Sequence, residues 1–167
     1  TIYEASFIYD DIFVRVDLMN KTEKGWDIYE VKSSTKIKKY HEYDASIQWH
    51  VLRDLKLFSL NDVFIVTLNN KYEKKENIIP LKYFSIDPIT DVANEKKNEV
   101  KDKILELKNI AKFDKEPLVD IGPHCKKPHS CVYLDKCWPK NMHDIDSIFR
   151  LYRLSLIHIS EPTRLDD

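Results

Sequence analysis

Residues 12–32, IFVRVDLMNKTEKGWDIYEVK, decide how the rest of the chain is read. Two runs rich in Ile, Val and aromatic residues, 12–20 and 26–32, flank the polar stretch 21–25, the pattern of two strands around a turn. A preceding run of the same character, residues 1–9, is set off by Asp10 and Asp11 and reads as the hairpin partner of the first. Side chains alternate across a strand, so Trp26, Ile28, Glu30 and Lys32 share one face while Asp27, Tyr29 and Val31 share the other. If 12–20 and 26–32 pair antiparallel, Asp17 falls opposite residues 28–30, and opposed side chains in a sheet lie roughly 5–8 Å apart. At that separation the carboxylates of Asp17 and Glu30 can share one ion.

Further along, Ile47, Val51, Leu55 and Phe58 recur at three- to four-residue steps, which predicts an amphipathic helix over residues 40–57, with Asp44, Gln48 and Leu52 as an adjacent stripe. Residues 62–68, DVFIVTL, form a continuous apolar run that suits a buried strand. A charged loop, 69–77, separates it from 81–86, LKYFSI, an expected edge strand before Pro88. Residues 91–113 place Val100, Ile104, Leu107 and Ala111 amid dense Lys and Glu, as in a surface helix with one buried face. This order predicts an α/β fold, a mixed sheet flanked by helices, followed by a Cys-rich loop over 122–139. The two glycines, Gly25 and Gly122, both fall where the periodicity changes.

At 167 residues, 43% hydrophobic and 33% charged, the chain suits one folded domain and not a disordered segment. A net charge of −1 gives no overall electrostatic attraction for nucleic acid, so any such contact has to be local. Lys32, Lys36, Lys38 and Lys39 beside Tyr40 are the candidate patch; a solvated lysine-rich loop is the competing reading. No apolar run approaches the roughly 18 residues that cross a bilayer, and no signal peptide opens the sequence, so a cytoplasmic protein without a membrane segment is expected. Thr1 lies directly inside a strand pattern, which points to an upstream part. Residues 154–164, LSLIHISEPTR, look like the translation of a sequencing adaptor, and 154–167 is set aside as a non-native tail.

Hydrolysing a phosphodiester requires an activated water, neutralised phosphate charge and positioning, and a divalent cation supplies much of all three. Mg²⁺ takes oxygen ligands, needs only one or two protein carboxylates and keeps several waters. Asp17 and Glu30, with the backbone carbonyl of Val31, fit that requirement for Mg²⁺ or Mn²⁺. Lys32, one strand step beyond Glu30, is placed to act on the attacking water or the phosphate, with a proton that can be labile beside cations. Against this stands the plain reading that the three merely decorate a solvated strand face. Their setting in β-prone runs argues otherwise, because an inward charge there needs a partner or a metal.

Cys125, Cys131 and Cys137 are spaced C-x5-C-x5-C. Cytosolic thiols rarely form structural disulfides and three is an odd number, so metal ligation is the better account. A [4Fe-4S] cluster takes four cysteines. Zn²⁺ is the rival, with His124, His129 or His143 completing a Cys3His set, and Pro123, Pro128, Trp138 and Pro139 shielding either metal.

Taken together, VRVD, EVKSS, DASIQ and the late cysteines resemble the PD-(D/E)XK nuclease superfamily, and within it the RecB-like and CRISPR-associated exonuclease branch. Uncharacterised bacterial proteins with a nuclease-like half ahead of a further domain look similar too. The resemblance covers about residues 1–140 and implies a restriction-endonuclease-like core, a nuclease-like domain over 1–150 truncated at its N-terminus, and a lost downstream domain. It implies a DNA substrate, with a single-stranded end, and a structural iron–sulfur cluster held by Cys125, Cys131 and Cys137 with a fourth cysteine upstream. Gln48 occupies the place of the family's assisting glutamine, Asp44 lies one turn earlier, and Leu52 stands where the family carries an aromatic residue. A catalytically idle module that binds nucleic acid or protein, and a zinc-binding scaffold, are the alternative functions.

Overall fold

The computed structural model describes residues 1–77, 79–127 and 129–137. It divides into two compact units, Thr1–Glu116 and a second that begins at Pro117. Pro128, Trp138, Pro139, His143 and the expected non-native tail 154–167 lie outside the described residues.

The first unit is built on a five-stranded mixed sheet in the order β1-β2-β3-β4-β5. Strands β1 (Ile2–Tyr9) and β2 (Ile12–Lys21) form the expected hairpin, closing with Tyr9 opposite Ile12. Asp10 and Asp11 both adopt positive φ, 50° and 58°, the two-residue turn whose twist matches that of paired strands. β3 (Trp26–Val31) returns antiparallel to β2, and β4 (Leu60–Leu68) runs parallel to β3. Parallel neighbours need a crossover, here the 17-residue helix α1 (Lys39–Leu55). Gly25 is needed at the turn before β3. Its φ is +147°, and a Cβ there would sit 2.5 Å from the Ser59 carbonyl oxygen, which accepts the Trp26 N–H at 2.7 Å.

Helix α1 exists as expected, but its buried face is not the Ile47–Val51–Leu55 stripe. Ala45, Gln48, Trp49 and Leu52 face inward with Val51, while Ile47 and Leu55 are only half-buried. Ala45, Trp49 and Leu52 join Val16, Met19, Ile28, Val63, Ile65, Ile89 and Ala93 in one apolar core. The expected edge strand 81–86 also divides: Pro80 at the first helical position, with φ preset, starts the turn α2 (Pro80–Tyr83), and only β5 (Phe84–Pro88) pairs with β4. Likewise 91–113 is two helices, α3 (Thr90–Glu95) and α4 (Lys97–Ile110). The buried face expected of it is confined to Ala93 and Val100, with Ile104 half-buried and Leu107 and Ala111 exposed.

Facing across β1 and β2 changes phase partway along. Val14 and Val16 point inward on β2, and so does Met19, three residues on instead of two. Between the ladder pairs Tyr3↔Leu18 and Ala5↔Val16 lie Glu4 and Asp17, and Glu4 has φ +52°, a left-handed backbone inside a strand. That break re-aims the strand at Asp17.

In the second unit, a 3-10 turn (Pro123–Cys125) and the short α5 (Leu134–Cys137) are the regular elements among the described residues. No helix among the described residues is long and apolar enough to cross a membrane.

Candidate metal centre

β2 and β3 are paired from Lys21↔Trp26 up to Leu18↔Tyr29, and the ladder ends one step before Asp17 and Glu30 would meet. Where two strands part, the next backbone N–H loses its ladder partner and needs another. Asp17 supplies it: its Oδ2 accepts the Val31 N–H at 2.7 Å. On the opposite side the Lys32 N–H donates to the Val66 carbonyl of β4 at 2.8 Å. The end of β3, Glu30-Val31-Lys32, is therefore pinned from both flanks, by a carboxylate and by a neighbouring strand.

Glu30 continues the inward face of Ile28, as alternation predicted, and this buries its carboxylate against α1. An inward carboxylate needs partners. Gln48 Nε2 donates to Glu30 Oε2 at 2.6 Å, and Lys32 Nζ lies 2.5 Å from Glu30 Oε1. The same ammonium lies 2.5 Å from Asp44 Oδ2, so Lys32 bridges the strand to the helix. Burial raises the Glu30 carboxyl above the usual range; hydrogen bonds from Lys32 and Gln48 pull it back, and the charges of Asp44 and Asp17 push it further up. For Lys32, burial alone would lower the pKa, but hydrogen bonds and charge from Asp44 and Glu30 outweigh it and raise it above the ordinary lysine value. Those carboxylates hold Lys32 as an ammonium.

The structure thus brings Asp17, Glu30, Val31, Lys32 and Gln48 together around one strand end. Two further residues belong to the cluster. Asp44 is a neighbour of Gln48, four residues apart on one helix face, but nothing in the sequence ties it to Lys32. His41, a turn earlier again, caps α1: its buried ring accepts the Lys38 N–H at Nδ1, 3.2 Å away. Burial and then the charges of Lys32 and Lys38 hold His41 below the usual histidine pKa. Leu52, one turn beyond Gln48, is fully buried in the core, so that position does not reach a surface here.

Two carboxylates, Glu30 and Asp44, share the Lys32 ammonium, and a third, Asp17, lies near enough to Glu30 to raise its pKa, an excess of negative charge that suits a divalent cation. Asp17 and Glu30 offer oxygen donors from adjacent strands, matching the one or two carboxylates Mg²⁺ requires. No group of three or more His, Cys, Asp or Glu side chains converges on a metal-sized site among the described residues. The fit consequently rests on two carboxylates plus water. Around the centre, Lys36 and Lys38 are exposed on the loop entering α1 and Lys39 on its first residue, with Lys38 Nζ 5.6 Å from the Tyr40 ring centre.

In the second unit Cys125 is buried, and Cys131 and Cys137 are exposed, all three as free thiols. Cys131 N–H donates to the Cys125 carbonyl at 2.8 Å, so the first two thiols belong to one tight loop. Comparison with family models, with curated proteins and with solved structures gave no match.

Proposed function

We propose that the protein is a divalent-metal-dependent DNA nuclease whose centre is Asp17, Glu30 and Lys32, assisted by Gln48. The observation that carries this reading is the parting of β2 and β3 at Asp17. It leaves two carboxylates and a lysine at one strand end, an arrangement with a plain chemical use besides the bonds that Asp17 makes to the Val31 N–H and Lys32 makes to Asp44. The α/β architecture, a mixed sheet flanked by helices, supports the reading at the level of fold class.

Asp17, Glu30 and the Val31 carbonyl would hold Mg²⁺ or Mn²⁺, which when bound neutralises phosphate charge and acidifies water. Gln48 fixes the Glu30 carboxylate so that its oxygens stay in place. Lys32 brings a positive charge to the phosphate as water adds to phosphorus and the bond to the leaving nucleoside oxygen breaks. Exposed Lys36, Lys38 and Lys39 extend the positive surface for the neighbouring phosphates of a strand, including a single-stranded end. Cys125, Cys131 and Cys137, free thiols that do not converge on one point, would supply three ligands of a structural [4Fe-4S] cluster on being drawn together with a fourth. Metal analysis of protein purified without oxygen separates iron and sulfide from zinc.

Incubation with single- and double-stranded DNA in Mg²⁺ or Mn²⁺ should give cleavage that a chelator stops and that Asp17→Ala and Lys32→Ala abolish. Equal cleavage by wild type and both variants removes the assignment. One observation favours a second reading, an idle nucleic-acid-binding module: both Glu30 oxygens already have hydrogen-bond donors. DNA binding without cleavage under all these conditions supports it.

A further inference from the structure

We infer that Asp44 is a positioning residue that draws Lys32 off Glu30 when a divalent cation arrives, so that cation affinity is set by a contest between Lys32 and the cation for one carboxylate. The inference rests on the cation site proposed above. Its footing is geometric. Lys32 Nζ is 2.5 Å from Glu30 Oε1 and 2.5 Å from Asp44 Oδ2, so the ammonium is shared evenly between β3 and α1. The Glu30 side chain is only 7% exposed, and Gln48 holds its other oxygen at 2.6 Å, so Glu30 has little freedom to turn aside. A cation entering beside Asp17 must therefore contend with Lys32 for Glu30 Oε1.

Asp44 makes that contest winnable. Its side chain is 47% exposed, against 22% for Lys32, so it sits at the rim while the lysine reaches inward. Once a cation takes Glu30, the ammonium keeps a charged partner it already touches, and it needs only to shift outward. Without Asp44, Lys32 has Glu30 alone, and every cation that binds must strand a half-buried ammonium. Asp44 acts in this scheme through Lys32 and not as a ligand.

A double-substitution cycle on Mn²⁺ binding separates these roles. Calorimetric titration of the whole chain without DNA would compare wild type, Asp44→Asn, Lys32→Met and the double variant, with Lys32→Gln in reserve if Lys32→Met fails to fold. Removing one negative charge weakens cation binding in either background; only the contest with Lys32 makes the loss unequal. Lys32→Met should tighten Mn²⁺ binding, and Asp44→Asn should weaken it at least about threefold more in wild type than in the Lys32→Met background. Asp44→Glu should restore most of the affinity. Equal losses in both backgrounds overturn the inference and leave the cation site standing. A wild-type protein that binds no Mn²⁺ removes the site, and the inference with it.

Discussion

Replacing Gln48 by Leu tests whether Glu30 is a desolvated carboxylate held in place by α1. Glu30 is 6% exposed, and its Oε2 accepts the Gln48 amide at 2.6 Å, while Lys32 serves Oε1. Leucine is close in length and fills the space, so the dominant loss is a hydrogen bond to a buried charged acceptor. Such a loss costs about 1.5–3 kcal/mol, against about 0.5–1.5 kcal/mol for a neutral pair. Taking about 2 kcal/mol and about 4 °C per kcal/mol for a unit of this size, the melting temperature should fall by about 8 °C. Urea unfolding in chelator, followed by the fluorescence of Trp26 and Trp49, reads the loss as a shifted midpoint with an unchanged slope. In a Glu30→Gln background the same substitution should cost less than half as much, because the acceptor is then neutral. An unchanged midpoint for Gln48→Leu, or equal losses in both backgrounds, would show that water reaches Glu30 freely and refute the buried-carboxylate account.

Gly25→Ala should destabilise by at least about 2 kcal/mol, because φ of +147° and a Ser59 oxygen 2.5 Å from the new Cβ leave alanine no relaxed position; a wild-type urea midpoint would contradict that turn. His50 is buried with Nε2 2.7 Å from the Ala93 carbonyl, and burial, together with the nearby Arg53 and Lys97, depresses its pKa below the usual value. Its folded pKa lies below the unfolded one, so its contribution is fully present above about pH 6.5 and is lost as pH falls through the folded value. His50→Gln should flatten that part of the stability profile, and a slope equal to that of wild type counts against the assignment. Leu52→Tyr, which restores the aromatic residue the nuclease resemblance expects, should cost about 1–3 kcal/mol by overfilling the core; a gain in DNA affinity at unchanged stability would show the position to be at the surface.

Strand positions were legible because their signals are local. Asp10 and Asp11 mark a tight turn, Gly25 marks the boundary before β3, and β-branched runs lie between them. Alternation from Ile28 was enough to aim Glu30 inward. The buried face of α1 departs from its hydrophobic stripe for the reason that makes it useful: Gln48 is polar, so a stripe chosen by hydrophobicity passes it by, yet it faces inward to serve Glu30. Beyond Val100 the apolar spacing of α4 continues to Leu107 although that residue is exposed, a departure from the core that periodicity alone cannot register. Nor could spacing reveal the Lys32–Asp44 bridge, since it depends on the loop of residues 33–38 bringing helix and strand together.

The parting of β2 from β3 has a consequence for folding order and for portability. Every group at the centre, from Asp17 to Gln48, belongs to one unbroken stretch of chain, a hairpin arm, a strand and the first half of a helix. Short-range contacts close early because little chain entropy stands in their way. The centre can therefore take shape before β5 and α4 dock, once β4 supplies the Val66 carbonyl that holds the end of β3, and insertions or exchanges beyond Leu68 can reshape what it meets while its own geometry persists.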